Sequence, residues 1–550
     1  MANPMTRTTL LSAALITAAT AAAVVHADPQ FSAERIKAHV TFLADDLLEG
    51  REAGTRGHEL AAHYIATQFE LLGVKPAGQN GTYFQNVDLL EAAQSGAKPR
   101  LILTTPRGAQ TLDHGRAVMI NGPIAGGTVR LDAPLVFAGY GMKDNTHGYD
   151  DYAGLDVRGK IAVVLFGSPK GMDSEVGAHL QSQQSRIAAE QGATAIVYIF
   201  TKLTAAAFPW EQVIELFDQP LTTWVRKDGT PFDPNYGLKA AVLIDPKVAG
   251  ALFEGAPKSG AQVLEEADTA GGRPKGFALR TKAEITVATT VRRFSSPEVI
   301  GKIEGSHPRL KDEYVALMGH ADHIGIKTKG TGDRINNGAL DNAAGVATLI
   351  EAARAFATDS QRPRRSILFV ANTGEEKGLL GATYFANYPT VPIERVTAAI
   401  DLDMPMLLYD FTDVVAYGAG HSSLETVFEK ATAAMGVKLS PDPMPEQAIF
   451  VRSDHYAMVK VGVPAVMLAT GMANGGQAAW AKYLGNNYHK PSDDASQPIV
   501  WAAGAKFAEL NYRVVRALAD DDADVRWYEG DYFGNLFAPK APKVAKPKGR

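Results

Sequence analysis

The sequence contains no cysteine among its 550 residues. Disulfides, cysteine nucleophiles and thiolate metal sites are therefore excluded, and any metal ion must be bound by histidine, aspartate or glutamate. The net charge is only −5, which gives no case for nucleic acid as a partner. Beyond the first 27 residues, no run is long and apolar enough to cross a membrane. The mature chain is thus expected to need neither nucleic acid nor membrane.

Hydrophobic residues make up 46% of the chain and charged residues 21%, which is the balance of a soluble globular protein. The first residues read as a targeting segment: Arg7 precedes an apolar, alanine-rich run, and "VHA" ends at Ala27 as a small-residue cleavage site. We therefore expect residues 1–27 to be a signal peptide. The mature protein is expected to be exported, either to a periplasm or out of the cell.

The rest of the chain is too long for one ordinary domain. Residues 121–290 contain short strand-like runs separated by loops rich in Gly, Asp and Tyr, with few clustered ligand types, which indicates a separate, non-catalytic domain. Residues 28–120 and 291–530 are expected to form the main domain around it. Residues 531–550 are rich in proline and lysine, a composition typical of a disordered tail.

Strand-like and helix-like segments alternate from residue 291 onward. "YVALMGH" and "RSILFVANT" are typical of buried strands, and "AAGVATLIEAARAFA" lies between them as an amphipathic helix. "AAIDLDM" and "PAVMLAT" are further strand candidates, each followed by a helical pattern. This alternation predicts an α/β three-layer sandwich whose mostly parallel central sheet is covered on both faces.

Metal-type side chains follow these strands where each one ends. His320 follows "YVALMG", Glu375 and Glu376 follow "SILFVANTG", and Asp403 ends "AAIDLD". Asp341 precedes a helix, and a late loop, "NNYHKPSDD", adds His489. Because binding sites of open α/β sheets form at the carboxyl ends of the strands, these side chains are expected to meet at one edge.

Such a set of side chains predicts a two-metal site. Imidazole and carboxylate ligands suit zinc, although Co²⁺ or Mn²⁺ can occupy the same ligands. A shared carboxylate can hold two cations about 3.5–4 Å apart. Of two adjacent glutamates, one can bind a metal while the other acts as general base on the bound water. Asp322 can accept the second ring N–H of His320 and fix its tautomer.

Six motifs in order carry a family resemblance: "GHADH", "NGALDNAAG", "NTGEEKGLLG", "DLDM", "RSDH" and "YHKPSDD". Together they resemble the bacterial leucyl-aminopeptidase family of co-catalytic di-zinc peptidases, which has the zinc peptidase fold. "LADDLLEGREAGTRGHELAAHYIATQFELLGVKPAG" resembles the start of these peptidases. The segment from 130 to 275 resembles the mainly-β protease-associated domain that many of them carry as an insertion.

The resemblance implies a role for each matching residue. One zinc ion would be bound by His320, Asp341 and Asp403. The other would be bound by Asp341, Glu376 and His489, so that Asp341 bridges the two. The resemblance further implies that Glu375 is the general base, that Asp322 orients His320 and that Tyr488 supports the oxyanion.

Three neighbouring residues compete for these roles. Asp401 and Asp403 lie on the same face of a strand, so parity does not separate them, and the "LDM" match favours Asp403. His323 is a ligand by composition, but it is expected either to support the ligands or to line the cleft, because His320 matches the motif. Asp493 is expected either to cap the following helix or to hydrogen-bond His489.

The resemblance implies a zinc-dependent aminopeptidase that acts on peptides with a free N-terminus. Three alternatives stay open: a glutamate-carboxypeptidase-like exopeptidase, a glutaminyl-cyclase-like acyltransferase and a non-catalytic binding protein. The first needs a basic pocket for a substrate carboxylate, the second uses one zinc ion, and the third would have lost ligands or Glu375. Nothing in the sequence indicates the oligomeric state.

Overall fold

The structure, a computed structural model, describes residues 29–547. The expected signal peptide, 1–27, lies outside the described residues. The helices are α1 (Ala33–Leu43), α2 (Arg56–Leu71), α3 (Ser174–Ser182), α4 (Gln184–Glu190), α5 (Lys202–Ala207), α6 (Trp210–Phe217), α7 (Gly260–Ala267), α8 (Ala344–Thr358), α9 (Leu380–Asn387), α10 (Leu424–Ala434), α11 (His455–Lys460), α12 (Gly476–Asn486), α13 (Trp501–Asp520) and α14 (Tyr532–Phe537).

The strands divide between two lobes that share one long strand. They are β1 (Lys75–Pro76), β2 (Phe84–Gln94), β3 (Arg100–Thr105), β4 (Gly108–Asp113), β5 (Val118–Asn121), β6 (Gly127–Phe137), β7 (Lys143–Asp144), β8 (Tyr149–Asp150), β9 (Ile161–Phe166), β10 (Ala195–Phe200), β11 (Leu221–Trp224), β12 (Ala241–Ile244), β13 (Phe277–Ile303), β14 (Tyr314–His320), β15 (Ser366–Asn372), β16 (Val396–Asp401), β17 (Asp413–Tyr417), β18 (Lys438–Ser440) and β19 (Ala465–Thr470).

The central strands of the main lobe are buried on both faces. Every residue of β15 and β19 is buried, as is every residue of β14 after Tyr314. Such continuous apolar runs are typical of parallel sheets with helices on both sides. β15, β14, β16 and β19 are neighbours in that order and run parallel. β13 flanks them antiparallel to β15, while β17 lies antiparallel to β19.

Two groups of helices pack around this sheet. α1, α8 and α13 contact one another, and α8 and α13 both contact β14. α9 and α11 form a second group, in which α11 contacts β16 and β19. The predicted mostly parallel α/β sandwich is therefore confirmed.

The second lobe is built on the first half of β13. Residues 282–286 of that strand pair with β3, and residues 282–289 pair with β6 on its other edge. From β6 the sheet continues through β9, β10 and β12 as parallel neighbours. The lobe therefore includes β3 and β4 and begins earlier than the expected residue 121, because the strand-like pattern of these two was not assigned to it. Its short helices are α3–α7.

The expected disordered tail is wrong for the described part of residues 531–550. Asp531 caps α14 through its side chain, and Phe533 is completely buried. Its ring packs edge-on against Phe450 and Tyr456. Further along, the Val544 N–H donates to the Trp527 carbonyl at 3.0 Å. One buried aromatic side chain thus anchors a segment whose proline and lysine content indicated disorder.

Within residues 29–547, no helix combines the length and the apolar character that crossing a bilayer requires.

Candidate metal centre

Three parallel strands deliver metal-type side chains to one edge of the main sheet. His320 is the last residue of β14, which pairs in parallel with β15 and β16. Glu375 and Glu376 follow β15, and Asp403 follows β16. Because the carboxyl ends of parallel strands share an edge, the four side chains lie close together. The predicted convergence is present in the structure.

Asp341 reaches the same edge from the turn Ala339–Ala343, which leads into α8. The Asp341–Asn342 peptide bond is cis. Asp493 holds this turn: one carboxylate oxygen accepts the Leu340 N–H and the other accepts the Asp341 N–H, each at 3.1 Å. Asp493 therefore orients the backbone at Asp341, a role that the sequence analysis did not assign to it.

Asn342 fastens this turn to the loop that carries Asp403. Its side-chain amide donates to the Leu402 carbonyl at 2.7 Å, and its oxygen accepts the Met404 N–H at 3.2 Å. Gly345 makes room for that side chain, since a Cβ at this position would lie 2.2 Å from the Asn342 oxygen. A glycine is thus required sterically at the start of α8.

The donor atoms form two groups that share Asp341. His320 Nε2 lies 3.4 Å from Asp341 Oδ1 and 3.2 Å from Asp403 Oδ1. His489 Nε2 lies 3.4 Å from Asp341 Oδ2 and 3.1 Å from Glu376 Oε2. The two oxygens of Asp341 therefore face different groups, which is the arrangement that a bridging carboxylate requires.

The donor set fits zinc. Ligands at the usual zinc distances of about 2.0–2.1 Å, placed at the corners of a tetrahedron, lie about 3.3 Å apart. The four separations between donor atoms, 3.1–3.4 Å, match that edge length. Nitrogen and carboxylate oxygen are also ligands that zinc prefers. These residues can therefore bind cations without a large rearrangement of the loops.

His323 is a third histidine at this centre. Its Nδ1 lies 2.6 Å from Glu376 Oε1 and 3.9 Å from Asp341 Oδ2, and its side chain is fully buried. With these two carboxylates it forms a group that can hold an ion. His323 therefore contacts both carboxylates directly.

Asp401 lies outside the groups of three potential ligands found in residues 29–547, and so does His489, which has the pairwise contacts given above. The Asp401 carboxylate instead accepts hydrogen bonds from the Ser453 hydroxyl at 2.8 Å and the His455 N–H at 3.2 Å. Asp401 is the last residue of β16, whereas Asp403 lies in the loop beyond it. The chain can therefore turn between them, so their matching parity does not give the two carboxylates the same surroundings.

Asp322 contacts His320 through its backbone. His320 Nδ1 lies 3.2 Å from the Asp322 carbonyl oxygen but 3.9 Å from its carboxylate. The carboxylate accepts the N–H groups of Glu375 and Glu376, at 3.2 and 3.4 Å. Asp322 thus supports both glutamates, besides placing an acceptor beside His320.

Tyr488 stacks on His489, with ring centroids 3.9 Å apart and planes inclined by 26°. His489 has a positive φ of 56°, a conformation that is unfavourable for non-glycine residues and persists only where the surroundings hold it. Burial, followed by the charges of Asp341 and Glu376, raises the pKa of Tyr488 well above its usual value. Its hydroxyl therefore keeps its proton beside the carboxylates.

The two adjacent glutamates have opposite tendencies to ionise. Burial and Asp341 would raise the pKa of Glu376, but His489 and His323 outweigh them and lower it to about 2. Burial raises the pKa of Glu375 well above its usual value, and Asp403 and Glu376 add to the increase against the opposing charge of His320. The two glutamates therefore differ in proton affinity, as a metal ligand and an acid–base group do.

Arg51 is the main residue at this centre that sequence reasoning missed. Its side chain is 1% exposed and donates to the backbone carbonyls of Ala321, Asn337 and Gly338. It belongs to the "LEGREAGT" stretch of the family resemblance, but no role was assigned to it. Contacts to backbone carbonyls do not require particular partner residues, so they produce no motif that can be recognised in the sequence.

The main lobe is an α/β domain with a cluster of imidazoles and carboxylates that can bind metal ions. Residues 298–515, about two fifths of the chain, match the model of peptidase family M28. The predicted family resemblance is confirmed here.

Curated relatives match shorter segments. Aminopeptidase NAALADL1 from Mus musculus is 29% identical over 168 residues, which cover 30% of this chain and 20% of that protein. Leucine aminopeptidase 2 from Trichophyton rubrum is 28% identical over 294 residues, covering 47% of this chain and 55% of that protein. A probable zinc metalloprotease from Pyrenophora teres f. teres is 37% identical over 109 residues, 19% of this chain and 22% of that protein.

One solved structure matches over most of the length. The aminopeptidase from Aneurinibacillus sp. strain AM-1 superimposes with a TM-score of 0.52 at 20% identity. The match covers 92% of this chain and 97% of that one. At this identity the likeness concerns the fold.

Proposed function

We propose that this protein is a zinc-dependent aminopeptidase that removes N-terminal residues from peptides. The single observation that carries the proposal is the position of Asp341, whose two oxygens face the His320–Asp403 group and the His489–Glu376 group. The names of the relatives, two of which are aminopeptidases and one a probable zinc metalloprotease, support the same activity.

In this proposal one ion is bound by His320, Asp341 and Asp403, and the other by Asp341, Glu376 and His489. Two zinc ions would lower the pKa of a water that they share and polarise the peptide carbonyl. His323 would hold Glu376 in place through its 2.6 Å contact. The Asp322 carboxylate would hold the backbone of Glu375 and Glu376 by accepting their N–H groups.

Glu375 would be the general base. Its side chain lies with those of His320 and Glu376 in one compact group, so it can reach a water held there. Its raised pKa suits a carboxyl group that takes a proton from the attacking water and passes it to the leaving amine. Tyr488 would donate its hydroxyl proton as a hydrogen bond to the carbonyl oxygen as negative charge develops there.

The substrate is proposed to be a peptide with a free N-terminus, because an α-ammonium group is attracted to four clustered carboxylates: Asp341, Glu375, Glu376 and Asp403. Export is part of the proposal and rests on the composition of residues 1–27 alone.

The test combines metal content with activity on the purified protein. Mass spectrometry should find two zinc ions per chain, and aminoacyl-p-nitroanilides should be hydrolysed until a chelator is added. Glu375→Gln should retain both ions and lose about 10²- to 10⁴-fold in kcat, because only the proton transfer is removed.

Other outcomes would point elsewhere. One ion per chain would favour an acyltransferase, and activity restricted to N-blocked peptides would favour a carboxypeptidase. A metal-free protein without turnover would overturn the proposal and leave a binding protein.

A further inference from the structure

Residues 49–51 form an unusual piece of backbone beside the candidate metal centre. Glu49, Gly50 and Arg51 have φ values of 52°, 70° and 50°. Consecutive left-handed residues that are not all glycine persist only where the surroundings hold them, and they concentrate at functional sites. At Gly50 an added Cβ would lie 2.6 Å from the Asn336 carbonyl oxygen and 2.7 Å from that of Gly325. The segment therefore lies directly against two loops of the main lobe.

This backbone carries Arg51 into the interior. The guanidinium donates to the Ala321 carbonyl at 3.0 Å, the Asn337 carbonyl at 2.5 Å and the Gly338 carbonyl at 3.0 Å, and also to the Leu43 carbonyl. Ala321 follows His320 directly, while Asn337 and Gly338 lead into the turn that carries Asp341. One rigid, planar group thus joins the two loops that supply His320 and Asp341.

The neighbouring backbone and side chain strengthen the connection. The Arg51 carbonyl accepts the His323 N–H at 3.2 Å, and the Gly50 carbonyl accepts the Gly325 N–H at 3.1 Å. Glu52 pairs with Lys377, the residue after Glu376, at 2.7 Å. The segment consequently touches a third loop, the one that carries both glutamates.

We propose that Arg51 is a positioning residue for the candidate metal centre, where it fixes the separation between the loop of His320 and the turn of Asp341. This inference rests on the proposed metal binding but not on the proposed peptidase activity. A lysine at this position would keep the charge, but its three donors share one nitrogen at the end of a flexible chain, so it cannot bond to carbonyls on both loops in a fixed geometry.

Charge adds to this effect. Burial lowers the pKa of Arg51 to about 10, against the opposing influence of Asp322 and Asp341, so the guanidinium stays charged at neutral pH. It therefore provides a permanent positive charge behind the carboxylates of the centre.

Arg365 provides a matched control. It too is 1% exposed, and it donates to the Leu518 carbonyl at 3.2 Å and to Glu313 at 2.8 Å. It directly precedes β15, whereas Glu375 and Glu376 follow the other end of that strand. Arg365→Lys therefore removes a buried guanidinium from the edge of the sheet opposite the metal centre.

The experiment compares full-length wild type, Arg51→Lys and Arg365→Lys. Zinc affinity is measured by competition with a chromogenic chelator, and thermal unfolding is followed with and without zinc. Arg51→Lys should bind zinc about 10- to 100-fold more weakly, the loss expected when groups that orient metal ligands are removed. Arg365→Lys should lower the unfolding temperature and leave zinc affinity unchanged.

Zinc affinity equal to wild type in Arg51→Lys, or an equal loss in Arg365→Lys, would overturn the proposal. If Arg51→Lys does not fold, Asn337→Ala takes its place. The Asn337 side chain donates to the Ala44 carbonyl at 3.0 Å and to Asp46 at 2.8 Å, which holds its own carbonyl against Arg51. Unchanged zinc affinity in that variant would equally overturn the proposal. Zinc binding without release of N-terminal residues by the wild type would refute only the proposed activity.

Discussion

Two histidines, one in each of two regions, lie between pairs of carboxylates, but their geometry differs. His320 presents one nitrogen, Nε2, to both Asp341 and Asp403. His421 uses opposite nitrogens: Nδ1 contacts Asp531 at 2.6 Å and Nε2 contacts Glu175 at 2.8 Å. Its carboxylates are held apart by the ring, and the three residues do not form a group that can surround an ion. Composition alone therefore does not identify a metal site.

In the second cluster, a proton on His421 allows the ring to bind Glu175 and Asp531 at the same time. Burial would lower the pKa of His421, but hydrogen bonds to Asp531 and Glu175 outweigh it and raise it to about 9. At neutral pH the imidazolium thus joins Glu175 of α3 in the second lobe to Asp531 before α14. His421 therefore joins two carboxylates through opposite sides of its ring, whereas His320 directs one nitrogen at the point where two carboxylates meet.

Removing the shared carboxylate of Asp341 should give the largest difference in zinc binding between the two clusters. Asp341→Asn is expected to lose more zinc affinity than the about 10- to 100-fold typical of supporting residues, because one group loses its oxygen ligand and the other keeps only a neutral amide oxygen. Bound zinc after dialysis, measured by mass spectrometry, should fall from two ions towards none. In Glu175→Gln, the matched change at the other cluster, the zinc content should stay at two. Retention of two ions in Asp341→Asn would contradict a bridging role.

Raising the pH should weaken the His421 cluster in a defined window. Since its folded-state pKa lies near 9 and the ordinary value is 6.5, its contribution is complete below pH 6.5 and is lost as the pH rises through about 9. The shift corresponds to about 3 kcal/mol of unfolding free energy.

Urea unfolding of wild type and His421→Gln at pH 6 and pH 10 measures this contribution. The difference between the two proteins should be largest at pH 6 and should shrink at pH 10. A difference that does not change with pH would show that His421 is not held protonated by Glu175 and Asp531.

The smallest effect is expected from the residue that holds the turn of Asp341. Asp493→Asn replaces an acceptor of two backbone N–H groups, so zinc affinity should fall about tenfold. Asp531→Asn, which removes an acceptor from His421, should leave zinc affinity at the wild-type value. Chelator competition on both variants provides the measurement, and equal affinities would show that Asp493 does not support the centre.

Sequence reasoning located the side chains of the centre but not what supports them. His320, Glu376 and Asp403 could be placed because each follows a strand, and parallel strands end at a common edge. Arg51 and the backbone-binding role of Asp493 could not, since their partners are main-chain groups of loops distant in sequence. The folded structure around Phe533 was missed for a related reason, because composition does not reveal that one aromatic ring is buried.

The boundary between the lobes was hard to predict because one strand, β13, belongs to both. Residues 282–289 of β13 pair with the second lobe, and residues 299–303 pair with β15 of the main lobe. The strand continues through Ser295, Ser296 and Pro297, residue types that usually mark a turn, so the sequence does not show that one strand runs through this region.

The length of β13 has a consequence for how the protein can be divided. Its 27 residues extend about 90 Å along one backbone. Cutting the chain between the lobes would leave each fragment with an unpaired strand end, an aggregation-prone edge. Neither lobe is thus a transferable module, and fusion or shuffling of this protein should keep residues 277–303 intact.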